Sequence, residues 1–510
     1  MYIGDISRLG AKRFGRKTAL IHGGRSLSYG DLDQAVNRLA NSLMTHMVPG
    51  DKVAIMSANC LEYVVLLFAA AKCGIILQSV NHAYCADEFI HVMNDAEPKV
   101  LFVDHSKCEF VEGVLGHCNS RPILVGLFKD ARLSWQLYDD LLAEGEDEEP
   151  EIAIDPDAAF SLMYTSGTTG AAKGVLLSQR GLMTTFRSLI IEGDIKGNDR
   201  GMVNLPLSHA AGMFAVTIPL LMRGASALLM SGSFDPEKIL TMVDHYRITM
   251  VMWVPTMLAM LVNLKSAASH DVSSLKKLYY GSSPISPQVY QQARDLFTAD
   301  FYQYYGQTES GIVSVLAPED HATMGSFTGR EMFDCQIRII DPQGGDVAVG
   351  EVGELITTSE SVMLGYLNKP KVTEKILRNG WVYTEDLARQ EPNGYFTIVG
   401  RLKDMIISGG KNIYAREVEE VIESHPSIQE VAVFGIPDDI YGESVCAAIV
   451  LRAGKLVTSD ELKHFCSQSM SSYKKPRLVV FKDDLPKNST GKVTKEILRQ
   501  PFWKNTGRNL

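Results

Sequence analysis

What the chain lacks narrows its class. Its 510 residues hold no basic run, and Asp plus Glu outnumber Lys plus Arg by 60 to 50, a formal net charge of −10 at pH 7. That balance argues against a nucleic-acid partner, which calls for clustered positive charge. The eight cysteines, at 60, 73, 85, 108, 118, 335, 446 and 466, include no Cys-x-x-Cys pair, and no histidine cluster has zinc spacing. Neither a disulfide framework nor a zinc module is expected, and the compartment reads as reduced and cytoplasmic. The longest apolar run, Tyr63 to Ala71, is bracketed by Glu62 and Lys72. It falls far short of the ~20 residues a bilayer span needs and reads as a buried helix. The first residues carry Asp5 and no long apolar core, so no signal peptide is expected. A Walker A loop is missing too, as are internal repeats and low-complexity tracts.

What is present is the ordinary composition of a soluble globular protein, 45% hydrophobic and 22% charged, in a chain too long for one core. The first ~140 residues alternate helix and strand patterns. A helix runs from Ser28 to about Met44, a strand covers Lys52–Met56, a helix Leu61–Cys73 and a strand Lys99–Val103. Such alternation predicts an α/β layered fold with mostly parallel sheets. The acidic stretch Glu144–Glu149 reads as a solvated loop. From Cys335 to Thr358 the pattern turns strand-rich. Beyond Arg401 a small α/β unit follows: an amphipathic helix near Glu417 halted by Pro426, strands near Val431 and Val445, a capping box at Thr458–Glu461, and a strand Leu478–Phe481.

One segment carries more chemistry than any other. Tyr164-Thr-Ser-Gly-Thr-Thr-Gly-Ala-Ala-Lys-Gly174 follows an apolar strand, Ala158 to Met163. Glycines 167, 170 and 174 allow tight bending and close approach of a ligand. Backbone N–H groups and the hydroxyls of Thr165, Ser166, Thr168 and Thr169 are donors for phosphate oxygens, and Lys173 adds a cation. The segment reads as a polyphosphate-gripping loop.

This loop resembles the core signature of the adenylate-forming superfamily, which comprises acyl-CoA synthetases, peptide-synthetase adenylation domains and beetle luciferases. Five further motifs of that family follow in order: Leu205-Pro-Leu-Ser-His209, Tyr304-Tyr-Gly-Gln-Thr-Glu309, Tyr383-Thr-Glu-Asp386, Gly400–Gly410 and Leu485-Pro-Lys-Asn-Ser-Thr-Gly-Lys492. The resemblance spans essentially the whole chain. It implies an N-terminal ATP- and acid-binding domain, residues 1–401, of layered α/β subdomains plus a distorted β-barrel. It also implies a small mobile C-terminal α/β lid domain, residues 402–510, with its hinge at Lys403.

The resemblance further implies roles, residue by residue. Lys492 bridges the substrate carboxylate and the α-phosphate, and Glu309 is the Mg2+ ligand. Thr308 contacts the α-phosphate, Tyr305 lies at adenine, and Gly281-Ser282-Ser283 forms the adenine segment. Thr165, Ser166, Gly167, Thr168, Thr169, Gly170 and Lys173 hold the polyphosphate. Asp386 holds the ribose hydroxyls and Arg401 contacts ribose or phosphate. Ser408, Gly409 and Gly410 line the pantetheine channel. Tyr473-Lys-Lys-Pro476 is either a CoA-phosphate contact or a solvated charge pair. For Tyr302 and Tyr304 the reading kept is aromatic core. Departures from the family pattern are Ala172 for a common Pro, Gln179 for His, Glu331 for Pro, and Glu385 for the Gly of Thr-Gly-Asp.

The implied acyl pocket lies between His209 and Tyr305-Gly306. Its candidate lining is Ala211, Met213, Phe214, Trp253, Val254 and Gly306, with core packing as the competing reading for Met213 and Phe214, and a packing role for His209. No carboxylate follows His209, so an amino-acid ammonium has no partner there. Glycine at 306 leaves out the Trp wall of acetate ligases. The expectation is an ATP-dependent acid–thiol ligase for an apolar fatty or aryl acid, using ATP, Mg2+ and CoA. The alternative acceptor is an acyl- or peptidyl-carrier protein. A luciferase-like oxygenase and a non-catalytic nucleotide-binding regulator are the remaining readings. Oligomeric state is not legible.

Overall fold

The computed structural model describes residues 1–127, 135–165, 172–283, 285–321, 327–487 and 493–504. Two large sheets and two smaller ones organise these residues into a large N-terminal and a smaller C-terminal domain. The first large sheet orders its strands as Gly365–Tyr366, Lys173–Ser178, Ala159–Thr165, Ile76–Val80, Lys52–Met56, Val100–Val103, Ile123–Gly126 and Gln136–Leu137. Its six strands from Ala159–Thr165 to Gln136–Leu137 pair in parallel, and only the edge at Lys173–Ser178 and Gly365–Tyr366 runs antiparallel. Parallel strands covered on both faces need near-continuous apolar runs, and Val-Leu-Phe-Val at Val100–Val103 is fully buried.

The second large sheet has nine strands and a parallel centre: Asp300–Gln307, Lys277–Gly281, Met250–Trp253, Arg200–Val203, Ser226–Leu229 and Thr18–His22. Between the two sheets lies the main core. The helix Leu61–Cys73 sits inside it with every residue but Glu62 buried, which explains an apolar character on all its faces. Its Lys72 is buried as well, and its ammonium binds Asp33, Asn37 and Glu149 at 2.9, 2.6 and 2.5 Å. The acidic stretch is therefore exposed but not simply solvated. Glu149 neutralises an interior cation, and Asn37 and Asn41 donate to the carbonyls of Glu146, Asp147 and Glu148. Glu149 is one of three partners that satisfy this interior ammonium, which is what ties the stretch down.

The strand-rich part takes the form of a five-stranded antiparallel sheet. Within it Trp381–Gln390 pairs with Val352–Thr358, Leu377–Arg378 and Phe396–Arg401. The C-terminal domain is a separate five-stranded sheet around Gly442–Leu451, with an apolar cluster on each face. Its helix Ser459–Ser469 opens with the Thr458–Glu461 capping box, and its helix Ala415–Glu423 stops short of Pro426. The turn Leu402–Asp404, which carries an exposed Lys403, joins the strand Phe396–Arg401 to the strand Ile406–Ser408 of the C-terminal sheet. Among the described residues no helix is long and apolar enough to cross a membrane.

Candidate active site

The strand Asp300–Gln307 delivers most of the site. Alternation along it sends Tyr302 and Tyr304 into the core, where both rings stand edge-on to Tyr279 at 5.1 and 5.4 Å. Tyr305 faces the other way, and its hydroxyl donates to Oδ2 of Asp386 at 2.7 Å. Nε2 of Gln307 reaches the same oxygen at 2.8 Å and the Thr384 carbonyl at 2.9 Å. Nε of Arg401 lies 3.0 Å from the other oxygen, Oδ1. Burial works against the Arg401 charge, yet Asp386 and Asp404 outweigh it and raise its pKa. Burial, then Asp386, pushes the Tyr305 phenol far up, so it remains a donor.

A β-bulge aims Asp386 inward. Glu354 pairs with Leu387 and Ile356 with Tyr383, so Leu355 alone faces Thr384, Glu385 and Asp386. Thr384 Oγ1 donates to the Leu355 carbonyl at 2.6 Å and accepts from the Asp386 N–H at 3.1 Å. Glu385 pays for the bulge with a φ of 57°, a left-handed conformation that favours glycine. Its N–H donates to Glu354 Oε1 at 3.1 Å. The unusual Glu at this position thus occupies the residue of the bulge where a side chain is least welcome.

Glu309 lies just past the same strand. Its Oε1 accepts from the Tyr366 hydroxyl at 2.8 Å, and the Lys173 ammonium sits over the Tyr366 ring at 4.8 Å. Thr165 pairs directly with Lys173 across the antiparallel edge. Two groups on the helix Ala86–Ala96 brace the flanks of this hairpin: Asp95 accepts from the Tyr164 hydroxyl at 2.9 Å, and His91 Nε2 lies 2.8 Å from the Ala172 carbonyl. The phosphate-loop residues Ser166, Gly167, Thr168, Thr169 and Gly170, and the catalytic candidate Lys492, lie outside the described residues.

Gly281 pairs with Tyr304, and a Cβ on it would come within 2.4 Å of the Tyr304 carbonyl. Ser282 follows at φ 68°, exposed, and Ser283 is half-buried. The adenine candidates therefore adjoin Tyr305. Thr308 is half-buried between Gln307 and Glu309.

At the acyl side, Asn59 ties down the approach to His209. Its amide donates to the carbonyls of Val203, Leu205 and Met230, and its Oδ1 accepts from Leu207 N–H at 2.7 Å. His209 keeps solvent access while the protein around it lowers its pKa by desolvation. The π-helix Ala211–Thr217 then begins, closed by Thr217 Oγ1 on the Gly212 carbonyl at 2.7 Å. Ala211 and Val254 are half-buried, whereas Met213 and Phe214 belong to the main core. Trp253 is fully enclosed against Phe297, with Nε1 on Asn204 at 3.0 Å. Gly306 is exposed, and the register shifts beside it. A Cβ there would stand 2.2 Å from the Gly311 carbonyl, so the hairpin itself requires glycine. Asn59, Gln307 and Tyr366 escape sequence reasoning because their partners are distant in the chain.

In the C-terminal domain, Gly409 and Gly410 turn the hairpin between Ile406–Ser408 and Lys411–Ile413 at φ 58° and 74°, with Ser408 buried. Lys411 lies over the Tyr473 ring at 4.3 Å, and Lys474 pairs with Glu417.

The chain belongs to the AMP-binding enzyme family, which matches residues 8–367, with the AMP-binding enzyme C-terminal domain matching residues 417–492. It is 35% identical over 488 residues to a feruloyl-CoA synthase of Amycolatopsis sp, covering 95% of this chain and 96% of that relative. It is 32% identical over 516 residues to a medium/long-chain-fatty-acid–CoA ligase of Mycobacterium tuberculosis, covering 98% and 89%. The solved structure of ATP-bound MatB from Rhodopseudomonas palustris superposes with a TM-score of 0.90 at 28% identity over 99% of both chains. The chain is an AMP-forming acid–CoA ligase: ATP activates a carboxylic acid as its adenylate, and the acyl group passes to CoA.

Proposed function

We propose that the acid is apolar, aryl or fatty, and that the residues grouped above divide the two half-reactions. Asp386 receives the ribose, its lone pairs shared with Tyr305, Gln307 and Arg401. Gly281, Ser282, Ser283 and Tyr305 border the adenine. Lys173, with Thr165 and residues 166–170, takes the polyphosphate, and Thr308 the α-phosphate. Lys492 joins the carboxylate to the α-phosphate. Like charges on two anions make this step one of positioning and electrostatic stabilisation.

Glu309 suits magnesium. With Oε1 occupied by Tyr366, Oε2 accepts from no donor among the described residues. One carboxylate suffices when phosphate oxygens and water complete the shell. Bound there, the ion would offset the negative charge of the phosphates.

The observation that carries the acid class is the segment after His209: from Ala210 through Thr217 it offers no ionisable side chain, and a π-helix holds it in place. A charged acid tail would meet no partner there. The two relatives act, by name, on ferulate and on medium- or long-chain fatty acids, neither of which carries an ammonium or a second carboxylate. Residues 1–401 and 402–510 are the two working domains, Lys403 is the hinge, and Ser408, Gly409 and Gly410 meet the pantetheine arm. The single turn at Leu402–Asp404 supports that hinge, because a few residues there suffice to reorient the smaller domain.

The test is pyrophosphate release with ATP and Mg2+ across aryl and fatty acids of increasing length, each with CoA, with a carrier protein, or with neither. Turnover on apolar acids with CoA supports the reading. Preference for a dicarboxylic or amino acid overturns the acid class.

A further inference from the structure

Tyr366 stands between two charges of opposite sign. Its hydroxyl donates to Glu309 Oε1 at 2.8 Å, and its ring face carries the Lys173 ammonium at 4.8 Å. Among the described residues neither Lys173 nor Glu309 forms an ion pair. A lysine and a carboxylate this near one ring would otherwise pair, and each would be spent on the other. The phenol stands between them, bonded to one and stacked under the other. It restrains the carboxylate through a neutral donor, leaving its charge intact, and it holds the ammonium on its electron-rich face.

The backbone makes the spacer rigid. Tyr366 is 6% exposed. It pairs with Val175 on the strand that begins at Lys173. Leu367 N–H donates to the Gly174 carbonyl and Met363 N–H to the Glu309 carbonyl, both at 2.8 Å. The Tyr366 N–H donates to Thr373 Oγ1 at 2.9 Å. One short segment is thus bonded to the lysine's strand and to the glutamate's own backbone.

We propose that Tyr366 is a positioning residue of the metal–nucleotide site, keeping Lys173 and Glu309 apart so that the first stays free for polyphosphate and the second for Mg2+. The proposal rests on the assignment of Glu309 and Lys173 made above. Its two halves separate by substitution: Tyr366→Phe keeps the ring and loses the hydroxyl, while Tyr366→Leu loses both.

The test is Mn2+ affinity of the ATP-bound full-length protein by electron paramagnetic resonance, alongside the ATP KM at saturating Mg2+ and far-UV circular dichroism. For Tyr366→Phe the Mn2+ Kd rises about tenfold, the loss of one hydrogen bond to a charged group, and the ATP KM at saturating metal stays unchanged. For Tyr366→Leu the ATP KM also rises, because Lys173 and Glu309 then pair. Unchanged Mn2+ affinity in Tyr366→Phe overturns the proposal, and that variant decides the matter even if Tyr366→Leu fails to fold. The resonance experiment needs neither acid nor turnover. A wild-type protein that binds no Mn2+ with ATP would instead overturn the assignment of Glu309.

Discussion

The phenol of Tyr305 donates to one carboxylate oxygen of Asp386, at 2.7 Å, while Arg401 holds the other. Asp386 is buried and its two oxygens already accept three donors, two on Oδ2 and one on Oδ1, so a ribose bound as proposed would have one acceptor site on Oδ1 left to it. The knot fixes the carboxylate before nucleotide arrives.

Tyr305→Phe keeps the ring and removes one donor to a buried charge. A hydrogen bond to a charged group contributes about 1.5–3 kcal/mol, so the ATP KM in ATP–pyrophosphate exchange should rise about tenfold or more. The KM for the acid should change far less. Equal change in both would place Tyr305 outside the nucleotide site.

Glu385 offers a stability test. Its φ of 57° costs a side-chain residue about 1–2 kcal/mol, and its carboxylate adjoins Glu354, whose pKa is raised by burial and by that neighbouring charge. Glu385→Ala removes the charge but keeps the strain, and Glu385→Gly removes both. The glycine variant should be the more stable of the two by about 1 kcal/mol in urea denaturation, with ATP KM unaltered. An alanine variant of equal stability would mean that the bulge carries no strain.

Asn59 is the knot behind His209. Asn59→Ala takes the amide from three carbonyls and the Leu207 N–H; the Val203 carbonyl keeps the Met230 N–H at 2.9 Å, and the other groups cost about 1–3 kcal/mol each where left unsatisfied. Asn59→Asp should be worse than Asn59→Ala, since a carboxylate would face those three carbonyls. Melting temperatures should fall in that order. The acid KM should rise more than the ATP KM, because the loop that presents His209 loosens.

Much of this was legible in the chain. The strand Lys52–Met56 and the helix Leu61–Cys73 fall at the expected residues, since apolar runs bounded by polar residues leave little choice of ends. Ser28 and the Thr458–Glu461 box cap their helices as their side chains predict. In the structure Asp386, Arg401 and Tyr305 meet, and Lys173 approaches Glu309 through one ring. What remained hidden depends on register and distance. Tyr366 lies 57 positions from Glu309, and Asn59 148 positions from Leu207, separations that no local pattern encodes. In the π-helix after His209, Gly212 packs so close to the Pro206 carbonyl that a Cβ would stand at 2.5 Å. Glycine at 306 suggested an open pocket wall, but a bulged hairpin requires it for its own backbone.

His321 ties stability to pH. It is 4% exposed, with Nδ1 2.7 Å from the Ala317 carbonyl and Nε2 3.0 Å from the Tyr280 hydroxyl, directly before the Gly281 segment. Nδ1 must carry the proton, because a carbonyl only accepts, so Nε2 accepts from the phenol in the neutral ring. Burial lowers its pKa below the ordinary 6.5, and Arg294 adds to this against the Ala317 carbonyl, Asp320 and Glu319. Below pH 6.5 the unfolded chain therefore binds a proton that the folded chain refuses. Stability from this group is fully present above 6.5 and is lost as pH falls toward the folded pKa. The slope is at most about 1.4 kcal/mol per pH unit for one proton. His321→Gln replaces both contacts with a group that never titrates, so the loss of stability between pH 7.5 and 5.5 should shrink relative to wild type. An unaltered acid slope would mean that His321 takes up its proton equally in both states.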